Sequence, residues 1–274
     1  MPKISVIVPN YNDASNLSKC IRSLLDLNYP KEKLEIIIVD NGSTDNSIQV
    51  IKEFPVKLLI EKNIKGSYAV RNLGVKNAEG EVLAFTDSDC VVDKQWLFNS
   101  IKYLAEEDVG GVAGEIRDGE PETLVEEYQL LTKALDQSRY MNHPYYSFAA
   151  TANVIYKKML FDKIGLFETN WISGGDVDFS WRTQIHGKIK LIYADDCIVH
   201  HHHRTNPKGL YLQTQKHTYG ACLLNAKYDN KFQTFKELNN KLILYSKMFR
   251  KYVEKGILFS AFLLFRSKRI YFLY

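Results

Sequence analysis

The sequence predicts an α/β protein. Strand-like and helix-like runs alternate through the first half of the chain, the pattern made by parallel strands joined through crossover helices. The strand-like runs are apolar almost without interruption, as expected of strands covered on both faces. The 274 residues, 45% of them hydrophobic, suffice for one large domain or two small ones whose core stands without disulfides.

The elements follow in order. Residues 4–8 are apolar or β-branched apart from Ser5 and predict the first strand. Asn12, Asp13 and Ser15 then offer N-caps, and Leu17, Ile21, Leu24 and Leu25 recur at helical spacing until Tyr29-Pro30 stops the helix. A second strand is expected at 34–39. Ser43-Thr44-Asp45 opens a second helix containing Ile48, Val50 and Ile51, and a third strand follows at 56–60. Residues 66–78 suit a helix that ends near Gly80, and 81–86 return as the fourth strand. In the second half, 110–116 read as a strand and 123–135 as a helix, with Cys197-Ile198-Val199 strand-like. Helices are expected at 210–224 and 235–253. The result is a Rossmann-like sheet flanked by helices.

Composition excludes several functions. Thirty-six basic against 32 acidic side chains give a formal charge of +4, too even a balance for a nucleic-acid binder. Cys20, Cys90, Cys197 and Cys222 form no Cys-x-x-Cys pair, so neither a zinc ribbon nor a disulfide framework is indicated, and a reducing cytoplasm is expected. Met1-Pro2-Lys3 leads into a strand rather than a secretion signal. The first strand is followed by neither Gly-x-Gly-x-x-Gly nor Gly-x-x-x-x-Gly-Lys, which argues against a dinucleotide dehydrogenase.

The most informative motif is Thr86-Asp87-Ser88-Asp89-Cys90, two carboxylates at the carboxyl end of a buried strand, where open α/β sheets hold ligands. Acids two apart on an extended backbone project to one side and repel unless a hard divalent cation lies beside them. A metal-bound diphosphate suits that place; an acidic turn is the plainer alternative. Asp40 similarly ends a buried strand and can accept a hydrogen bond from the imide N–H of uracil or thymine, or serve only as a turn acid. Pro9 and Tyr11 are placed to wall the same base by stacking. Gly66 gives either a close passage beside a nucleotide or a turn.

In order along the chain, VIVPNYN, IIIVDNGSTDNS, NIKGSYAVRNLG, FTDSDC and GGDVDFSWR together resemble the family 2 glycosyltransferases, inverting enzymes with the GT-A fold, a mixed sheet flanked by helices. The resemblance covers residues 4 to about 204. It implies a domain at 1–205, with a nucleotide-binding half at 1–90 and an acceptor-binding half at 91–205, followed by a helical extension at 206–274. It implies a nucleoside-diphosphate sugar donor, UDP-linked by preference because of Asp40, and a glycan or lipid-linked acceptor. By the same resemblance Asp89 binds Mn²⁺ or Mg²⁺, Asp87 meets the ribose or the metal's water, and Arg71 reaches the nucleotide and steadies the acidic pair. Asp176 is the implied catalytic base, with Asp178 the second choice. One of the two is expected to cap the following helix. The family motif usually has Glu-Asp where this chain has Gly175-Asp176.

The run His200-His201-His202-His203-Arg204 is internal and reads as native. The resemblance places His201 near the metal or diphosphate, and alternation along an extended chain puts His203 on the same side. Beyond Pro207, Lys241, Lys247, Arg250, Lys251 and Lys255 mix with Leu242, Leu244, Tyr245 and Phe249. The apolar stretch 257–265 is too short to span a bilayer. The basic tail suggests docking on an anionic inner membrane face, or alternatively a helical cap or dimer contact. Two other classes are left open: a sugar-phosphate nucleotidyltransferase, although the glycine-rich phosphate loop after the first strand is absent, and a non-catalytic nucleotide-sugar-binding module. The sequence leaves oligomeric state open.

Overall fold

A computed structural model describes residues 1–228. The chain divides into a compact unit, Met1–Gly220, and a second unit that starts at Ala221. The helix expected at 235–253 and the basic segment that follows lie outside the described residues. Among the described residues no helix is long and apolar enough to cross a membrane.

The elements are β1 (Ile4–Asn10), α1 (Ala14–Leu25), β2 (Leu34–Asp40), α2 (Ser47–Lys52), β3 (Lys57–Ile60), α3 (Ser67–Asn77), β4 (Val82–Thr86), β5 (Cys90–Val92), α4 (Trp96–Leu104), β6 (Val109–Asp118), α5 (Leu124–Thr132), α6 (Gln137–Met141), β7 (Asn153–Lys157), α7 (Met159–Ile164), α8 (Gly175–Ile185), β8 (Lys190–His201) and α9 (Pro207–Lys227). The strands form one sheet in the order β3-β2-β1-β4-β7-β6-β8-β5. The first four run parallel, β7 is antiparallel to both neighbours, and β5 is antiparallel to β8.

Side-chain alternation sends each strand into two cores. Ile4, Val6 and Val8 join Ile36 and Ile38 beneath Leu17, Cys20, Ile21 and Leu24 of α1. Ile7, Ile37 and Val39 meet Val70 and Val75 of α3 and Phe179 of α8 on the opposite side. Buried on both faces, these strands have the unbroken apolar character seen in the sequence.

Where the elements differ from expectation, polar side chains are the reason. The second helix starts at Ser47, not near Ser43, because Ser43 folds back onto Asp40 and Asp45 accepts from the amides of Ala14 and Ser47. The helix expected at 123–135 begins where Thr123 and Glu126 close a capping box and ends at Lys133, which takes a left-handed φ of 53°. β7, β5 and α4 were not among the expected elements, although Val154-Ile155-Tyr156 in β7 and Trp96, Leu97, Ile101 and Leu104 in α4 carry apolar patterns of their own. β7 depends on Asn153, whose amide donates to the carbonyls of Glu115 and Cys197 at 2.7 and 2.8 Å, bridging the register break between Gly114 and Glu115 where β6 meets β8.

Candidate active site

The parallel half of the sheet reverses direction of winding between β1 and β4, the crevice where such sheets hold ligands. The turn after β4 carries Asp87, Ser88 and Asp89; the loop after β1 carries Tyr11 and Asp13. Ser88 Oγ donates to Asp13 Oδ2 at 2.7 Å and ties the two loops together across the crevice. Asp13 occupies the N-cap position of α1 without capping it by its side chain; its Oδ1 accepts from Asn16 Nδ2 at 2.7 Å while its Oδ2 holds Ser88.

On the β2 side, Asp40 is fully buried. Its Oδ1 accepts from the amides of Gly42 and Ser43, both at 2.8 Å, and its Oδ2 from Asn10 Nδ2 at 2.8 Å and Ser43 Oγ at 2.6 Å. These four bonds match the lone-pair sites of a carboxylate, so Asp40 holds the turn, and a uracil imide would have to displace one of them. Asn41 next to it binds the carbonyls of Glu61 and Ile64 and accepts from Gly66 N. Gly66 has φ 121°, which only glycine adopts readily, and a Cβ there would meet open space. A turn is therefore what requires this glycine. Pro9 lies at the end of β1, and the Tyr11 ring stands 58% exposed with Lys65 Nζ 5.6 Å from its centroid.

Arg71, buried in α3, forms an ion pair with Asp87. Asp89 lies deeper. Burial first, then the charge of Asp87, pushes its carboxyl up to about 7, against the pull of Arg204. His201 Nε2 is 3.6 Å from Asp89 Oδ1. This meeting is set by sheet register, since β5 and β8 pair Cys90 with His201, and His202 N donates to the Asp89 carbonyl. Burial and the neighbouring His203 push the His201 imidazole down to about 4. At this distance a carboxylate and an imidazolium would attract, yet Asp89 is raised and His201 lowered; desolvation of the charged forms outweighs the attraction.

Asp89, Cys90 and His201 place one ligand atom each within 4.8 Å of one another. Burial and two nearby carboxylates hold the Cys90 thiol far above its ordinary range, so the effective donors are a carboxylate oxygen and an imidazole nitrogen. His201 Nδ1 is buried without a hydrogen-bond partner. That donor set fits Mn²⁺ or Mg²⁺, with a nitrogen ligand more usual for Mn²⁺. His203 lies on the same side, its ring 4.9 Å from that of His201, and pairs with Asp118. His200 and His202 point outward and are exposed.

The second acidic pair opens α8. Gly174, in the left-handed region at φ 82°, starts the helix. Asp178 is fully buried and bonded to Arg182 Nε at 2.8 Å, while the rest of that guanidinium holds the carbonyls of Ile164 and Leu166. Asp176, half-buried, accepts from Tyr68 Oη and from Val177 N, both at 3.1 Å. On α9, Gly220 approaches the loop before α8 so closely that a Cβ would lie 2.6 Å from the Ser173 carbonyl carbon and oxygen. Half-buried His217, one turn earlier on α9, has its imidazole pushed down by burial, against the charge of Asp176.

Sequence reasoning missed Tyr68, Asp13 and Asp118. Tyr68 alone left a local signal: it lies three residues before Arg71 on one helix, hence on the same face.

The family model for glycosyl transferase family 2 matches residues 5–165. The glycosyltransferase AglE of Haloferax volcanii is 33% identical over 222 residues, covering 78% of this chain and 71% of its own. A Methanococcus voltae enzyme named dolichyl N-acetyl-α-D-glucosaminyl phosphate 3-β-D-2,3-diacetamido-2,3-dideoxy-β-D-glucuronosyltransferase is 26% identical over 80% of this chain and 72% of its own. Among solved structures, residues 1–349 of S. aureus TarS with UDP-GlcNAc superpose with a TM-score of 0.57 at 25% identity, covering 74% of this chain and 59% of that one. A Pyrobaculum calidifontis mannosyltransferase with GDP-Man and Mn²⁺ gives 0.56 at 22% identity, covering 76% and 58%. The chain thus spans less than two thirds of these two solved structures. The protein is a glycosyltransferase of the GT-A fold. The chain belongs to glycosyl transferase family 2.

Proposed function

We propose that this chain moves a sugar from a nucleoside-diphosphate sugar, UDP-linked by preference, to a hydroxyl of a glycan or lipid-linked acceptor, with inversion in a single displacement. The observation that carries the reading is the convergence of both acidic pairs on one face of α3: Arg71 pairs with Asp87, and Tyr68 with Asp176. UDP-GlcNAc in TarS supports the donor class, and the dolichyl-linked substrate in the name of the M. voltae relative supports a lipid-linked acceptor.

In this reading Tyr11 and Pro9 wall the base, while Asp40 and Gly66 fix the turns beneath it. Arg71 holds Asp87 toward the ribose. Asp89 and His201 would hold a divalent cation, with Asp87 beside them and His203, anchored by Asp118, against the His201 ring; such an ion would supply charge to offset that growing on the departing diphosphate. Asp176 accepts the proton of the acceptor hydroxyl as its oxygen bonds to the sugar C1. The C1–oxygen bond to the diphosphate breaks on the opposite face, and its electron pair leaves with the nucleotide. Asp178, tied to Arg182, keeps the start of α8 in place.

The test incubates the full chain with UDP- and GDP-sugars, Mn²⁺ and a series of glycan and polyprenyl-phosphate-linked acceptors. The expected result is Mn²⁺-dependent release of UDP and a product of inverted anomeric configuration. Retained configuration, or donor binding with no release to any acceptor, would sink the proposal.

A further inference from the structure

We infer that Tyr68 is the positioning residue for the base: its hydroxyl aims the Asp176 carboxylate, and Gly175 is glycine to admit the Tyr68 ring. This rests on the reading of Asp176 as the base.

Two independent contacts support it. Tyr68 Oη donates to Asp176 Oδ1 at 3.1 Å, across 108 positions of sequence. A Cβ built on Gly175 would lie 2.8, 2.9 and 3.0 Å from three atoms of the Tyr68 ring. Real Cβ contacts do not come below about 3.0 Å, so any other residue at 175 displaces the ring and, with it, the hydroxyl. The site thus uses a glycine and a tyrosine where the family's motif has a glutamate beside the base. Tyr68 is itself held from several sides. It is only 5% exposed, stacks on Phe167 with centroids 5.8 Å apart, and has the Arg71 guanidinium 5.9 Å from its ring. Burial and the charge of Asp176 keep the phenol far above its ordinary range, so it stays a donor throughout the working range of pH.

The placement has a consequence for coupling between the two substrates. Arg71 and Tyr68 share one face of α3, so the residue that holds Asp87 and the residue that aims Asp176 move as one body. Loss of the hydroxyl alone removes the tie from α3 and leaves the carboxylate to the Val177 amide of its own helix, with the donor side intact.

The experiment compares Tyr68→Phe, Gly175→Ala, Tyr68→Ala, the Tyr68→Ala/Gly175→Ala double variant and Asp176→Asn, all in the full chain, by steady-state transfer kinetics, UDP affinity and thermal unfolding. Tyr68→Phe keeps the ring and should fold. Its kcat is expected to fall about tenfold or more, as misplacement of a reacting group does, with the donor KM and the affinity for UDP unchanged. Gly175→Ala should cause a similar loss, and adding it to Tyr68→Ala should cost nothing further, because the ring it displaces is already gone. Wild-type kcat in Tyr68→Phe, with Asp176→Asn inactive, overturns the role of Tyr68 and leaves the base standing. Full activity in Asp176→Asn overturns the base itself. Equal, additive losses from Gly175→Ala with and without the Tyr68 ring overturn the pairing of the two residues.

Discussion

Asp87 and Asp89 follow a strand, Asp176 and Asp178 open a helix, and with the same spacing the two pairs reach opposite local geometry but a common plan. After β4 the backbone turns, Cys90 N donating to the Asp87 carbonyl, and burial together with the nearby charge of Asp87 raises Asp89 to about 7. In α8 a step of two residues turns about 200°, so Asp176 faces Tyr68 while Asp178 points inward to Arg182. In each pair one acid is fixed by a buried or nearly buried arginine, Arg71 for Asp87 and Arg182 for Asp178. The other is left for chemistry. In the proposed mechanism an arginine partner thus marks, in both places, the acid that neither takes the proton nor leads in binding the cation, although spacing does not.

The comparison is broken most directly by exchanging one acid at a time. Asp176→Asn should lower transfer about a thousandfold, the scale of a lost general base, while UDP still binds; isothermal titration of UDP beside a transfer assay reads both. Asp89→Asn should lower turnover about a hundredfold and abolish the rise in melting temperature that Mn²⁺ gives the parent protein. Asp178→Asn should act on stability instead, costing about 3 kcal/mol because the Arg182 charge keeps its buried place without a counter-ion. Chemical denaturation measures that loss, and donor affinity in the folded fraction should not change. If Asp178→Asn instead removed activity without loss of stability, the division between structural and reactive acids would fail at α8.

The smallest effect is on pH. Asp89 must lose its proton to bind a cation, and its carboxyl is raised to about 7, whereas His201 is already neutral above about 4. Mn²⁺ affinity should therefore rise about tenfold per pH unit below 7 and level off above it, with close to one proton released per ion at pH 6. Without metal the signs oppose each other. The raised Asp89 favours the folded state at low pH and loses that contribution as pH rises through about 7. The depressed His201 favours it above its ordinary 6.5 and loses its contribution as pH falls through about 4. A flat Mn²⁺ affinity from pH 5.5 to 8 would show that Asp89 is not the residue that yields its proton to the ion.

Much of the first third of the chain was legible in sequence. The apolar runs at 4–8, 34–39 and 81–86 became β1, β2 and β4, and the acidic turn stands at the end of β4 as expected. The histidine alternation was legible too, with His201 and His203 inward and their neighbours exposed. Less legible were the start of α2 and the saturation of Asp40, because short polar side chains choose between helix caps and turns according to partners elsewhere in the chain. Ser43 could have capped a helix; instead it donates to Asp40.

Sequence alone determined what depends on near neighbours: which runs are buried as strands, where those strands stop, and that two carboxylates follow one of them. Tertiary structure decided which distant groups meet. The pairing of β5 with β8 set His201 against Asp89, and the packing of α3 on α8 set Tyr68 against Asp176 and required glycine at 175. The physical reason is range: hydrophobic periodicity is written within a few residues, whereas a hydrogen bond or a close approach between segments exists only once the chain has closed on itself.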